Sequence, residues 1–395
     1  MKRRGQIDVA VVGGGVVGAA CALVLAREGL QVTLVEGREP PRWSQNQPDL
    51  RVYAFAPDNA ALLEEAGAWH AVRDARAQPY RRMRVWDAAG GDELQFDADA
   101  LGRSQLGWIV ENALLVDRLW AALQAVGVQV CCPARVDAME QDEAGVTLML
   151  DDGARVDARL AVAADGADST LRRLAGLDVA SHDYAQRGVV AFVQTQRPHE
   201  DTAWQRFLPT GPLAFLPFTD GRSSIVWTLP DAEAARVLAL DDAAFGHELA
   251  LAMGGQLGEV VVTSARAAFP LRRQLAKDYV SGRVIVAGDA AHVVHPLAGQ
   301  GVNLGLRDVA GLREGVRDAL ARHADWSAPH RLERWARQRR SENATAAHAF
   351  DGINKVFSND EMHLTLVRGL LLGLAGKVPP LVDFLWRHAA GQRTR

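Results

Sequence analysis

Six residues, IDVAVV (7–12), run apolar and β-branched into the glycine cluster GGGVVG (13–18), and the stretch 16–30, VVGAACALVLAREGL, follows with apolar residues at helical spacing. A strand is therefore expected to turn sharply into a helix, and Gly13, Gly15 and Gly18 satisfy G-x-G-x-x-G at that turn. Each glycine has a physical task there: a tight turn, close approach of a pyrophosphate to the backbone, and close packing of helix on strand. QVTLVEG (31–37) reads as a second strand, closing a unit of about 30 residues, the size of one βαβ element. The helix start leaves N–H groups unpaired at the positive end of the macrodipole, which suits an anion. Glu36 ends the second strand about 20 residues on, where a carboxylate can accept hydrogen bonds from an adenosine ribose. A bound dinucleotide is the expectation; a merely tight turn is the alternative.

At 395 residues the chain exceeds the roughly 250–300 at which one hydrophobic core stops growing, so two domains are expected. Short runs with period-two alternation (MRVWDA, ELQFDA, LGWIV) fill 81–110, and a helix is expected over 114–126. Strand candidates VQVCCPARV, GVTLML and ARLAVAAD follow, with DDG marking a hairpin turn. GVVAFVQT, WQRFL, LAFLPF, SSIVWTL and EVVVTSARAAF continue the β-rich middle, interrupted by one helical segment over about 231–253. RVIVAGDAAH is a buried strand running into a turn, and the chain from 302 onward reads as mostly helical. The expected class is α/β: a Rossmann-like nucleotide domain assembled from 1–80, 111–180 and 270–330, a β-rich substrate domain from 81–110 and 181–269, and a C-terminal helical region, 331–395.

A net charge of −4 gives no basic footprint for nucleic acid. Cys21, Cys131 and Cys132 are too few for a disulfide framework and lack metal-ligand spacing, so a reducing, cytoplasmic setting without a metal is expected. The basic start, MKRRG, leads straight into the glycine turn and does not read as a signal peptide. The apolar stretch 364–386, LTLVRGLLLGLAGKVPPLVDFLW, is interrupted by Arg368, Lys377, Pro379 and Pro380 and falls short of a spanning helix. It reads as core packing of a helix pair or as peripheral contact with the inner face of a membrane.

A second glycine-rich turn decides which dinucleotide. VIVAGDAAH puts Gly288 and Asp289 at the end of a buried strand, and HPLAGQGVNLG follows directly. An Asp at a strand's C-terminal end can bond a polyol hydroxyl, and the next helix start can aim N–H groups at a ligand that gains negative charge. Reduced flavin is such a ligand, whereas NAD has no ribityl chain to place here. An ordinary strand, loop and helix connection remains the alternative for this segment alone. No second G-x-G-x-x-G follows a strand, so a dedicated domain for a second nucleotide is not expected.

Through GGGVVG (13–18), ADGADS (164–169) and GDAAHVVHPLAGQGVNLGLRD (288–308), the chain resembles the FAD-dependent aromatic hydroxylases of the para-hydroxybenzoate hydroxylase type, along essentially its whole length. QPDLRVYAF (47–55), GWIVEN (107–112), AWQRFLPTGPLAFLPF (203–218), SSIVW (223–227) and FSN (357–359) resemble the ubiquinone-biosynthesis branch. Trp335, Tyr53 and Phe55 depart from the residues that branch more often carries. The resemblance implies that Glu36 holds the adenosine ribose, that Arg51 lies near the diphosphate and flavin, and that Asn112 and Leu115 line the cofactor. It further implies that Asp165 and Gly166 touch both FAD and reduced nicotinamide, that Gly288 and Asp289 serve the ribityl chain, and that Gly299, Gln300, Gly301 and Val302 face the flavin pyrimidine.

The chemistry so implied is monooxygenation: NADH or NADPH reduces FAD, O2 adds as a flavin C4a-hydroperoxide, and one oxygen passes to the ring of a polyprenylated phenol or benzoquinol. QPDLR (47–51), PYRRM (79–83) and FSN (357–359) lean toward the members acting late, on a methylated, methoxylated benzoquinol, and a ubiquinone-biosynthesis complex is an implied partner. A hydroxylase of a small soluble aromatic acid and a non-catalytic flavoprotein subunit are the alternatives. No residue is a certain catalyst; His292, His295 and Pro296 stand beside the flavin turn, where bonding the loop or shaping it is the simpler role. Phe207, Pro209, Leu213, Phe215, Pro217 and Phe218 are candidates for the substrate wall, or equally for sheet core.

Overall fold

The computed structural model describes residues 5–90, 93–294 and 301–357. His295, Pro296, Gly299, Gln300, most of FSN and the apolar stretch 364–386 lie outside the described residues.

The strand Ile7–Val12 is central to the first sheet, parallel to Val32–Val35 on one side and to Arg155–Ala163 on the other. Gln129–Cys131 extends the sheet beyond Val32–Val35, and Val284–Val286 extends it beyond Arg155–Ala163. Residues 9–12 are buried without alternation, as a parallel strand covered on both faces requires. The helices Val16–Arg27, Asn112–Ala125 and Gly301–Ala321 contribute to the same core as this sheet. The parallel strands thus end where two helices begin, which is where open α/β sheets hold their ligands.

Among the described residues the second sheet has nine strands, mostly antiparallel, with Val179–Thr195, Ser223–Pro230, Gly211–Pro217 and Thr202–Leu208 as consecutive neighbours. Arg82–Asp87 joins parallel to Thr202–Leu208, and Leu94–Asp97 completes that edge. Two helices, Asp231–Leu238 and Asp242–Ala252, cover one face over Phe215, Ile225 and Trp227, and Phe245 of the second helix packs into that core. The single helix expected here breaks in two because Asp241 caps the second, its carboxylate accepting Ala244 N–H at 2.7 Å.

A three-stranded sheet, Val52–Phe55, Gly107–Glu111 and Gln78–Tyr80, lies between the two. Its Ala54 and Ile109 pack with Ala203 and Leu216 of the large sheet, so the uncovered face of that sheet is turned toward the nucleotide fold.

Candidate functional site

A cavity of about 1130 Å³ runs between the first sheet and the uncovered face of the second. That exceeds the ~300–1,000 Å³ of an ordinary small-molecule pocket and suits a dinucleotide with a second ligand.

At one end, Gly13 adopts φ +105° and leaves no room for a side chain: a Cβ would stand 2.3 Å from the Ala164 carbonyl oxygen. A Cβ on Gly18 would stand 1.9 Å from Gly13 O, so this glycine sets helix-to-strand packing and does not line the cavity. Gly15 is different. It precedes the helix Val16–Arg27, lines the cavity, and a Cβ there would meet nothing within 4 Å. The space is therefore beside the unpaired N–H groups of the helix start, where a pyrophosphate can approach the backbone.

Glu36 accepts hydrogen bonds from Gly14 N–H and, at 2.9 Å, from Arg38 N–H. Its carboxylate thus fastens the turn while lining the cavity, and its remaining lone pairs can still receive a ribose hydroxyl. Trp120, missed by the motif reading, donates to Gly14 O at 2.7 Å and closes the turn from the outer side.

Further along, Asp49 accepts Ala113 N–H at 3.0 Å and so caps the helix Asn112–Ala125. Arg51 lies exposed on the cavity wall, its guanidinium 5.4 Å from the Tyr53 ring. The Tyr53 hydroxyl donates to Asn112 Oδ1 at 3.1 Å, and burial pushes its phenol up to about 12. Leu115 is not part of this lining: three residues past Asn112 it has turned inward and is fully buried in the core.

Glu111 was a missed anchor. Fully buried, it accepts Arg76 through both oxygens at 2.7 and 3.0 Å, Trp43 Nε1 at 3.1 Å and Asp49 N–H at 2.8 Å. The signal for it was a carboxylate in the apolar run GWIVE, which burial would force to find a cation.

At the far end, Gly288 takes φ +60° in a single 3-10 turn, and Asp289 points half-buried to the cavity. No hydrogen bond to the Asp289 carboxylate exists among the described residues, so it is available to a polyol hydroxyl. Gly288 lies beneath the surface. With Gly305 it lets the helix Gly301–Ala321 cross the first helix closely, since a Cβ on Gly305 would stand 2.6 Å from Val17 and 3.0 Å from Gly288 Cα. Gly301 and Val302 line the cavity, and a Cβ on Gly301, like one on Gly15, would meet nothing within 4 Å. Two helix starts with open glycines and an unpartnered carboxylate between them fit FAD. Asp289→Ala is accordingly expected to weaken FAD retention at least tenfold, read by flavin fluorescence after dialysis; wild-type retention would remove Asp289 from the site.

Other motif residues hold the turns. Asp165 accepts the Ser169 hydroxyl, Thr170 N–H at 2.8 Å and Leu171 N–H at 3.3 Å, capping the helix Thr170–Leu174. It lines the cavity with Gly166, but its carboxylate is committed to the helix. Arg172 donates to Ala290 O at 2.8 Å and Ala167 O at 2.9 Å, tying the ADGADS loop to the GDAAH turn. Asn303 joins the helix Gly301–Ala321 to Ala54 O at 2.8 Å and Ala56 N–H at 3.0 Å. His292 is fully buried and bonds Asp308 through Nε2 at 2.7 Å, a structural role, though with a carboxylate where loop backbone was expected.

The wall across the cavity is Val190, Leu216 and Val226, with Phe269, Pro270 and Leu271 beside them. Period-two alternation corrects the expected wall. Leu213, Phe215 and Pro217 point to the opposite face, where Leu213 and Phe215 form core under the two helices. Phe207 shares the cavity-side parity but is buried away from the lining.

A family model described as "FAD binding domain" matches residues 6–350. The chain is 37% identical to the 3-demethoxyubiquinol 3-hydroxylase of Escherichia coli (strain K12), covering 97% of this chain and 98% of that one. It is 37% identical to the ubiquinone hydroxylase UbiL of Rhodospirillum rubrum, covering 97% and 89%. With the human mitochondrial ubiquinone biosynthesis monooxygenase COQ6 it shares 31% identity over 97% of this chain and 92% of that one. Among solved structures, p-nitrophenol 4-monooxygenase PnpA from Pseudomonas putida DLL-E4 superposes with a TM-score of 0.79 over the whole of both chains at 22% identity, a likeness of fold.

Proposed function

The chain belongs to the FAD-binding-domain family, within it to the ubiquinone-biosynthesis hydroxylases, and we propose that it hydroxylates the ring of a polyprenylated, methyl- and methoxy-substituted benzoquinol. The protein is a flavoprotein monooxygenase. FAD supplies the electron store and the activation of O2. What the chain contributes is placement, and the observation that carries the reading is one cavity leading from the Gly15 cradle, past Asp289 and Gly301, to an apolar sheet wall.

Each segment of that cavity has a chemical task in this proposal. The start of the first helix and Arg51 would hold the diphosphate, Glu36 the adenosine ribose, Asp289 the ribityl chain, and the backbone at Gly301 and Val302 the pyrimidine edge, where a helix start favours negative charge. Val190, Leu216 and Val226 would hold the quinol ring at the far wall of the cavity. Those side chains exclude water and offer no charge, which suits a neutral quinol. A small aromatic acid would require a cation at this wall; Arg272, the described cation of this sheet that lines the cavity, is already paired with Asp168 at 2.9 Å. NADH or NADPH approaches as a transient co-substrate, in keeping with the single G-x-G-x-x-G. Ring attack draws on the electron-rich quinol itself, so no side-chain nucleophile is required.

No helix among the described residues is long and apolar enough to cross a membrane. The stretch 364–386 is proposed to touch the bilayer surface or partner enzymes, where a prenylated quinol is dissolved. Deletion of the gene in its host tests the function: a quinone lacking one ring hydroxyl or the methoxyl derived from it should accumulate, identified by mass spectrometry. A normal quinone pool would overturn the assignment.

A further inference from the structure

We propose that Phe269 is the specificity-determining contact for the substrate's apolar tail, which leaves the cavity across the edge of the second sheet. The proposal rests on the quinol reading above and names the residue that distinguishes tailed from tail-less rings.

The strand Ala267–Ala276 pairs along one side with Val179–Thr195. On its other side it meets His292–Val293 only at Gln274 and Leu275. Among the described residues, therefore, its outer edge from 267 to 273 carries no neighbouring strand. Pro270, which has no N–H to offer a ladder, stands in that stretch, as edge strands allow.

Phe269 and Pro270 both line the cavity and both are exposed, Phe269 to 40%. The cavity thus reaches solvent over an aromatic ring. Among the described residues large exposed apolar side chains are few, and this one sits where the ligand space opens.

The ring is held in place by the strand beside it. Gly188 is its register partner, and a Cβ there would stand 2.8, 3.0 and 3.3 Å from three atoms of the ring. Covering a glycine with a cross-strand aromatic is a known sheet device, and on its own it would explain only the ring's inner face. The outer face remains exposed. Val190, two residues from Gly188, shares the sheet face of Phe269, and Val226 is the register partner of Val190. An apolar strip consequently runs from the ring-binding wall through Val190 to Phe269. The charged groups lining this part of the cavity, Arg272 and Asp168, are paired with each other and leave the strip neutral.

A quinol head seated against Val190 and Val226 must send its tail somewhere, and burying isoprene units on this strip removes apolar surface from water. The effect should appear in recognition of the tail, because the ring contacts lie deeper.

The test uses purified holoenzyme and two quinols with the same ring substituents, one bearing a two-isoprene tail and one a methyl group in its place. The ratio of kcat/KM for the tailed over the tail-less quinol is measured by product formation in the wild type, Phe269→Ala, Phe269→Leu and Gly188→Ala. The ratio is expected to fall about tenfold in Phe269→Ala, to recover mostly in Phe269→Leu, and to fall in Gly188→Ala, whose methyl group displaces the ring. An unchanged ratio in Phe269→Ala, or equal losses on both quinols, overturns the proposal. Wild-type enzyme that hydroxylates neither quinol overturns the quinol reading itself, and this inference falls with it.

Discussion

Gly15→Leu is expected to lower FAD affinity at least a hundredfold while leaving the melting temperature of the apoprotein within about two degrees of wild type. Gly15 has φ −68° and ψ −175°, a backbone that any L-residue adopts without strain. A Cβ there meets nothing within 4 Å, so the leucine side chain enters the cavity without disturbing the fold. It then occupies the space a pyrophosphate needs beside the helix start. Gly18→Ala should do the reverse. Its methyl group would stand 1.9 Å from Gly13 O, forcing helix from strand and destabilising the apoprotein by about 1–3 kcal/mol. Thermal melts of the apoproteins and FAD titrations separate the two outcomes. If Gly15→Leu bound FAD normally, the diphosphate would lie elsewhere.

Asp308→Leu is expected to produce the largest loss of stability among single substitutions near the site. Asp308 is fully buried and accepts Gly288 N–H at 3.0 Å, His292 at 2.7 Å, Arg339 at 2.9 Å and Asn343 at 2.9 Å. It joins the GDAAH turn, the helix Gly301–Ala321 and the helix Pro329–Phe357. Removing one partner of a buried ion pair costs about 3–5 kcal/mol, because the other charge is left without compensation. The melting temperature should drop by on the order of 10 °C, given the ~2–4 °C per kcal/mol of large domains. The pH dependence carries a sign. Burial pushes the Asp308 carboxyl up, but His292 and Arg339 outweigh it and hold it at about 2, below the ordinary Asp value of about 3.9. Its folded-state value being depressed, its stabilisation is complete above the ordinary value and is lost as pH falls from about 4 toward 2. Asp308→Asn should flatten that part of the acid limb in pH-dependent melts. An unaltered limb would show that the carboxylate is not charged in the folded protein.

Much of the architecture could be read from local pattern. IDVAVV, GGGVVG and Glu36 announced a strand, a turn and a second strand with a carboxylate, because backbone space at Gly13 and Gly18 admits nothing larger than glycine. Alternation in the middle of the chain announced the antiparallel sheet. Which face of it meets the ligand was not legible. Leu213 and Phe215 alternate with Ala214 and Leu216, and only the placement of the helices Asp231–Leu238 and Asp242–Ala252 makes the first pair core and the second the cavity side.

Long-range polar partners were equally hidden. Glu111 finds Arg76, and Asp308 finds Arg339, across 35 and 31 residues of chain. No local rule pairs residues so far apart. Asp165 shows the converse: a motif carboxylate whose reach is set by a helix cap six residues long at most, visible once Ser169 and Thr170 close around it. Leu115 misled through helical phase, since lining by Asn112 says nothing of a residue nearly one turn later that faces inward.

A flavin held by this chain should place one atom of O2 on a quinol ring. Reduced holoenzyme mixed with 18O-labelled dioxygen and a tailed methoxybenzoquinol tests it in a single turnover, read by mass spectrometry of the product. The expected product is a ring hydroxyl carrying one labelled oxygen. An unlabelled ring oxygen, or an untouched ring with all reducing equivalents recovered as hydrogen peroxide, would contradict it.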